Sequence, residues 1–264
     1  MNVRFAALLF VSLLSPSVHA QRLSPGDIKI LDAARAKYYQ LGRHGVGSFT
    51  CTITFDSLRL RIPDSQQAEP QRKLLQSTHL TLKVTPDGAT LDHKYPTGMD
   101  EAAQQQVQPL VDNLGLLLQN TMPSWSRRSF FGPLPVFDNQ VFSLTATPDG
   151  YLVIIQGPQQ PILFQMNRDY LLTRVTTVDG KHDSRLTFAQ TLEGWVLSRE
   201  EGTDTLARGQ TVDAENDIET TVVGAYRLPR SMHLHTNQNI DVRFTLTDCS
   251  VAKPDPLIVK PAHP

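Results

Sequence analysis

From Val141 to Cys249 the chain repeats one pattern: short apolar segments broken by turn residues every 8–12 positions. That spacing admits few folds other than an antiparallel meander. Strands are expected near 140–147, 151–157, 160–167, 170–178, 184–191, 194–201, 204–212, 215–223, 228–236 and 239–249. Thr147-Pro148-Asp149-Gly150 marks a reversal, with Asp179-Gly180 and Glu193-Gly194 marking two more. The tetrapeptide recurs as Thr85-Pro86-Asp87-Gly88, between His79–Val84 and Ala89–Tyr95, and reads as a hairpin. Proline sets the first turn position and glycine takes the left-handed one. Each strand has one apolar face: Phe142 and Leu144; Leu152 and Ile154; Ile162, Phe164 and Met166; Leu186 and Phe188; Val242, Phe244 and Leu246. A sheet this wide twists and must curl, which predicts a hollow with one apolar side.

The segment Asp100–Pro135 is the expected lid of that hollow. Ala103, Val107, Leu110, Leu114 and Leu117 recur at helical spacing, and Val111, Leu118 and Met122 widen the stripe. Asp100 is placed to cap the start and Pro123 to stop the end. Pro109 implies either a kink or a helix that begins there. Trp125, Phe130, Phe131, Gly132, Pro133, Leu134 and Pro135 then form an apolar tail too rich in proline to be regular.

At the N-terminus, Arg4, the apolar run Phe5–Leu14 and Val18-His19-Ala20 match an export signal cleaved near Ala20. The run is too short to span a bilayer as a helix. The mature chain, from about Gln21, is therefore expected outside the cytoplasm, periplasmic or secreted and soluble. Residues 21–251 read as one domain and 252–264 as a proline-rich tail, extended or disordered. Ser24-Pro25-Gly26-Asp27 starts a helix of about four turns, with Ile28, Leu31, Ala34, Tyr38 and Leu41 on one face and Gly42, Gly45 and Gly47 ending it. In the next segment Phe49, Cys51, Ile53 and Phe55 alternate with threonines, and the parity breaks at Asp56-Ser57. There a bulge forms or the strand gives way to a helical turn. Pro63–Gln71 is a loop by composition, and Arg72–Gln76 has the makings of a short helix. Two cysteines, Cys51 and Cys249, in an exported chain are expected to pair, which would tie the first strand to the last.

A net charge of -1 removes the electrostatic basis for binding nucleic acid or an anionic membrane surface. His233-x-His235 places two imidazoles on one strand face without the third ligand that a metal needs. His93 and His182-Asp183 sit beside turns and read as solvated. No Gly-x-Ser-x-Gly elbow exists; Gly45-Val46-Gly47-Ser48 is a helix exit. The acidic pairs Asp100-Glu101, Glu200-Glu201 and Glu215-Asp217 lie where helix starts, strand ends and turns favour acids. No cofactor is implied, and the chain reads as non-enzymatic. Arg127-Arg128, beside Phe130-Phe131, is the one basic pair that could hold an anionic headgroup; otherwise it is solvated surface.

The order of these parts resembles the LolA-like half-barrel family: signal, capped helix, Phe49-x-Cys51-x-Ile53 strand, hairpin, central apolar helix, long meander, then Gly224-Ala225-Tyr226-Arg227-Leu228-Pro229 and a last strand. The family includes periplasmic lipoprotein carriers and related lipid-binding proteins. The resemblance implies an α+β fold, mainly antiparallel β, whose strongly curled half-barrel carries an N-terminal helix and a central apolar helix on its concave side. It implies a carrier or chaperone for an acyl-chain-bearing lipid or lipoprotein. The pocket would be lined by Leu110, Leu114, Leu117, Leu118, Trp125, Phe130, Phe131, Phe142 and Phe164, with Arg127 and Arg128 at the headgroup. The alternative is a cell-envelope interaction module with a filled core, binding a protein partner and no ligand.

Overall fold

The computed structural model describes residues 23–59, 69–134, 141–156, 160–206 and 209–254. The expected export signal, most of the 63–71 loop and the tail beyond Pro254 lie outside these residues. Twelve strands form one antiparallel sheet in the order β3-β2-β1-β12-β11-β10-β9-β8-β7-β6-β5-β4. In chain order they are β1 (Ser48–Arg59), β2 (His79–Thr85), β3 (Gly88–Lys94), β4 (Val141–Thr147), β5 (Gly150–Gln156), β6 (Pro161–Asn167), β7 (Leu172–Thr177), β8 (His182–Gln190), β9 (Trp195–Thr205), β10 (Thr211–Val223), β11 (Tyr226–Thr236) and β12 (Asp241–Ala252). Every neighbour is consecutive in the chain, β1 and β2 through the helix Glu69–Ser77, except at one seam, where β1 pairs with β12 and joins the two ends of the sequence. The sheet is open. Its free edges are β3 and β4, which are consecutive strands joined through the long helix α3 (Glu101–Phe131).

At the seam, two bulges compensate each other. Pairing runs Phe49↔Val251 and Thr50↔Ser250, then shifts to Thr52↔Thr247, leaving Asp248 as an extra residue at φ +49°. A second shift after Phe55↔Phe244 leaves Asp56 extra, the bulge expected from the parity break. Thr245 Oγ1 donates to Asp56 Oδ2 at 2.7 Å and fixes it. Because each bulge flips the alternation, Phe49, Cys51, Ile53 and Leu58 share a face with Val242, Phe244, Leu246 and Cys249. Cys51 and Cys249 are disulfide-bonded there, the pairing expected from the sequence.

Helix α1 (Pro25–Ala36) begins on a capping box: Ser24 Oγ accepts from Asp27 N while Asp27 reaches back to Ser24 N. It stops a turn earlier than the apolar spacing implies. Tyr39 N donates to Trp195 O at 3.0 Å and Trp195 N to Lys37 O at 2.9 Å, so the start of β9 captures the chain as an extended segment. Tyr38 and Leu41 are buried but not helical, and Ile28, assigned to the buried face, is 48% exposed. The short helix α2 spans Glu69–Ser77, longer than Arg72–Gln76.

Three further expectations are corrected. The strand expected over 204–212 is divided instead: β9 runs to Thr205 and β10 starts at Thr211, with Leu206 N bonded to Gln210 O and Gly209 at φ +75° between them. On β5 the buried residues are Val153 and Ile155, not Leu152 and Ile154. Both faces of that strand are apolar, and pairing decides between them, setting Val153 opposite Phe164 and Ile155 opposite Ile162. Most of all, α3 does not stop at Pro123 or begin at Pro109; it runs through both to Phe131, and the aromatic tail is helical. Asp100 caps it through Ala103 N at 2.7 Å, as expected. Each internal proline removes one backbone bond. The cost is offset because the neighbouring turns are held by burial of Val107, Leu110, Val111, Met122, Trp125 and Phe130.

Candidate functional site

α3 lies on the apolar face of the sheet with Val107, Leu110, Val111, Leu114, Leu118, Met122, Trp125 and Phe130 buried. Phe49 of β1 stacks on Phe130 with centroids 6.3 Å apart and meets Trp125 edge-on at 6.4 Å. Gly115 passes over Leu91 of β3, and Pro123 lies against Gly88. The helix is thus antiparallel to β3, and its C-terminal end crosses the seam toward β8–β11.

Of the pocket residues chosen from sequence, Leu110, Leu114, Leu118, Trp125, Phe130 and Phe164 join one connected core, with Leu117 packed at its margin. Phe131 is turned outward and 43% exposed, because it follows Phe130 by about 100° around the helix. The side chain of Phe142 lies outside the described residues.

The basic pair is split for the same reason. Arg127 is exposed. Arg128 points to the sheet, where its Nη1 lies 2.5 Å from Glu200 Oε1 of β9, with 13% and 17% of the two side chains exposed. Beside this pair, Tyr38, Tyr39, Trp125, Phe188, Trp195 and Pro229 wall a cavity of about 40 Å³. Arg227 borders it and pairs with Glu193 at 3.0 Å. Tyr38 Oη accepts from Leu172 N at 2.6 Å, and Tyr39 Oη from Arg227 N at 2.8 Å. Burial raises the phenol of Tyr38 to about 12, opposed by its backbone hydrogen bond. A space of 40 Å³ holds water, whereas drug-sized ligand sites run to roughly 300–1,000 Å³. Tyr38, Trp195 and Glu200 were not selected from sequence, because Tyr38 read as a helical core residue and Glu200 as half of an exposed acidic pair.

Glu200 and Glu201 face opposite sides of β9, so they cannot converge on one substrate. Glu215 and Asp217 share a face but grip Arg199, at 2.8 and 3.4 Å, with Glu201 on the same guanidinium. His233 Nε2 donates to Asp241 Oδ1 at 2.9 Å, and His235 is exposed. Among the described residues, no group of three or more histidine, cysteine or acidic side chains could hold a metal. Nor is any described helix long and apolar enough to cross a membrane. His182, expected to be solvated, is instead half-buried and bonded to Asp204. No protein-family model, curated protein or solved structure matches the chain.

Proposed function

We propose that this chain is an exported carrier or chaperone for an acyl-chain-bearing lipid or lipoprotein, a curled half-barrel of LolA-like type described in its closed state. One observation carries the reading: a 31-residue helix lies across an open, single-layer sheet and links its two free edges. Its apolar stripe occupies the surface that an acyl chain would cover. Burying about 14 methylenes is worth roughly 10 kcal/mol, enough to compensate for lifting several helical residues off the sheet. Pro109 and Pro123 interrupt the helical ladder, so α3 can move in segments. The disulfide holds the seam together while it does so. Oxidised cysteines fit an exported address.

A lock on α3 tests this. Gly115→Cys with Leu91→Cys places two thiols at bonding distance, since a Cβ added at Gly115 would lie 3.9 Å from Leu91 Cβ. The wild type and each single variant should bind a fluorescent fatty acid at micromolar or tighter Kd, and the oxidised double variant should not. Wild-type protein that ignores the probe sinks the carrier. Equal binding by the locked variant sinks displacement of α3.

A second reading, a filled-core envelope module that binds a protein, is favoured by the 40 Å³ volume of the aromatic cavity. Native mass spectrometry separates the two. Co-purifying lipid supports carriage, whereas a clean apo mass with a protein retained in pull-down supports the module.

A further inference from the structure

One polar cluster on the helix-bearing face belongs neither to the α3 stripe nor to the aromatic cavity. β8 and β9 pair so that His182 stands opposite Asp204 and Ser184 opposite Gly202. Directly paired residues share a face, and Ser184 and His182 are two apart on one strand, so all three polar side chains point the same way. His182 Nδ1 lies 2.7 Å from Asp204 Oδ1, and Ser184 Oγ lies 3.2 Å from His182 Nε2. A carboxylate only accepts, so Nδ1 carries the proton and the Nε2 lone pair faces the serine hydroxyl. We propose that Ser184, His182 and Asp204 form an acyl-transfer site that hydrolyses carboxylic esters, with Ser184 as nucleophile, His182 as general base and Asp204 as positioning residue.

The surroundings fit that assignment. The backbone of His182 is pinned on both sides: its N–H donates to Thr177 Oγ1 at 3.0 Å and its carbonyl accepts from Thr176 Oγ1 at 2.9 Å. Gly202 makes room for the nucleophile, because a Cβ there would sit 2.9 Å from Ser184 Oγ. The same cross-strand row continues through Ala214 to Thr236, so four strands present only small side chains across this part of the face. Glu200 and Asn216 border the row on the neighbouring register. The hydrogen bond to Asp204 raises the imidazole above the ordinary histidine value; burial opposes it, and Arg128 and Glu200 act in opposite senses.

In the reaction, Ser184 Oγ adds to the ester carbonyl carbon and its proton passes to His182 Nε2. Collapse breaks the carbon–oxygen bond to the alcohol, which leaves with that proton. Water then attacks the acyl-Ser184 ester, gives a proton to His182, and releases the carboxylic acid as Ser184 is reprotonated. Ser184 is 2% exposed, whereas 35% of the His182 side chain is open, so the ester reaches the pair from the histidine side. The inference goes beyond carriage and shares with it only the requirement that an acyl group reach this face.

The test uses the oxidised mature chain, a small alkyl fluorophosphonate, and p-nitrophenyl acetate and laurate. One phosphonyl adduct is expected on Ser184 by mass spectrometry. It should vanish in Ser184→Ala and slow at least tenfold in His182→Gln, whereas Ser184→Cys should take an acyl-thioester from the p-nitrophenyl ester. Ester turnover should rise with pH through the His182 titration, and Asp204→Asn should move that midpoint down as well as lower the rate. No adduct at Ser184, or an adduct whose rate ignores His182→Gln while circular dichroism is unchanged, overturns the proposal. Fatty-acid binding without an adduct removes this site and leaves the carrier; an adduct with acetate turnover but no affinity for long chains does the reverse.

Discussion

Cys51 and Cys249, separated by 198 residues, are bonded across the β1–β12 seam, Cys249 directly following the bulge residue Asp248. The bulge lets Cys249 share the apolar face of Cys51, although the strand that carries it began with even-numbered residues inward. Closing so long a loop should stabilise the fold by about 5 kcal/mol in the chain-entropy model. Reduction is expected to lower the Tm by roughly 10–20 °C for a domain of this size. Alkylation of exported, denatured, unreduced protein should add no label; two labels would mean the bond is absent.

The Arg128–Glu200 pair is a mostly buried ionic tie between α3 and the sheet. Removing one partner strands a charge in a poorly solvated place, so Glu200→Gln should cost roughly 3 kcal/mol. The double replacement Arg128→Met, Glu200→Leu should recover much of that loss. Urea denaturation of the three variants measures the coupling directly, and additive losses would show that the pair is not coupled.

Tyr38 should ionise late, because burial raises its phenol to about 12. Its folded-state value of about 12 exceeds the ordinary 10, so the stability it contributes is complete below pH 10 and lost as pH rises through 12. Absorbance at alkaline pH should show a phenol ionising near pH 12 that is missing in Tyr38→Phe. That variant also leaves Leu172 N–H without its acceptor and should be destabilised by about 1–3 kcal/mol.

His182 follows the same sign in a lower pH window. Its folded value is raised, so the His182–Asp204 bond supports the fold most fully below the ordinary 6.5 and fades as pH climbs past the raised value. Chemical-shift titration of the imidazole should show this, and Asp204→Asn should abolish the upward shift.

Pro109 is exposed within α3, and Pro109→Ala restores a backbone donor there. A gain of about 1–2 kcal/mol is expected, because the helical penalty of proline exceeds its advantage in the unfolded chain. Amide exchange across residues 105–113 should slow. If α3 must move to admit an acyl chain, ligand association should slow as well.

Residue order alone determined a good deal about this protein. Alternating apolar positions and paired turn residues dictated the antiparallel meander, since period 2 can serve no other element. The period shift at Asp56 marked a bulge or a strand end, Ser24 and Asp100 marked helix starts by capping chemistry, and two cysteines in a chain expected to be exported implied a bond. These signals are local or compositional, so they survive without coordinates. Tertiary structure decided what depends on partners. Pro123 read as a stop and Pro109 as a kink or a start, yet burial on both sides of each one carries the helix through. β5 is apolar on both faces, so only its register with β6 chose Val153 and Ile155. Tyr38 left its helix because β9 offered backbone bonds. Ser184, His182 and Asp204 meet through strand pairing across a 22-residue separation, a register that no linear motif records.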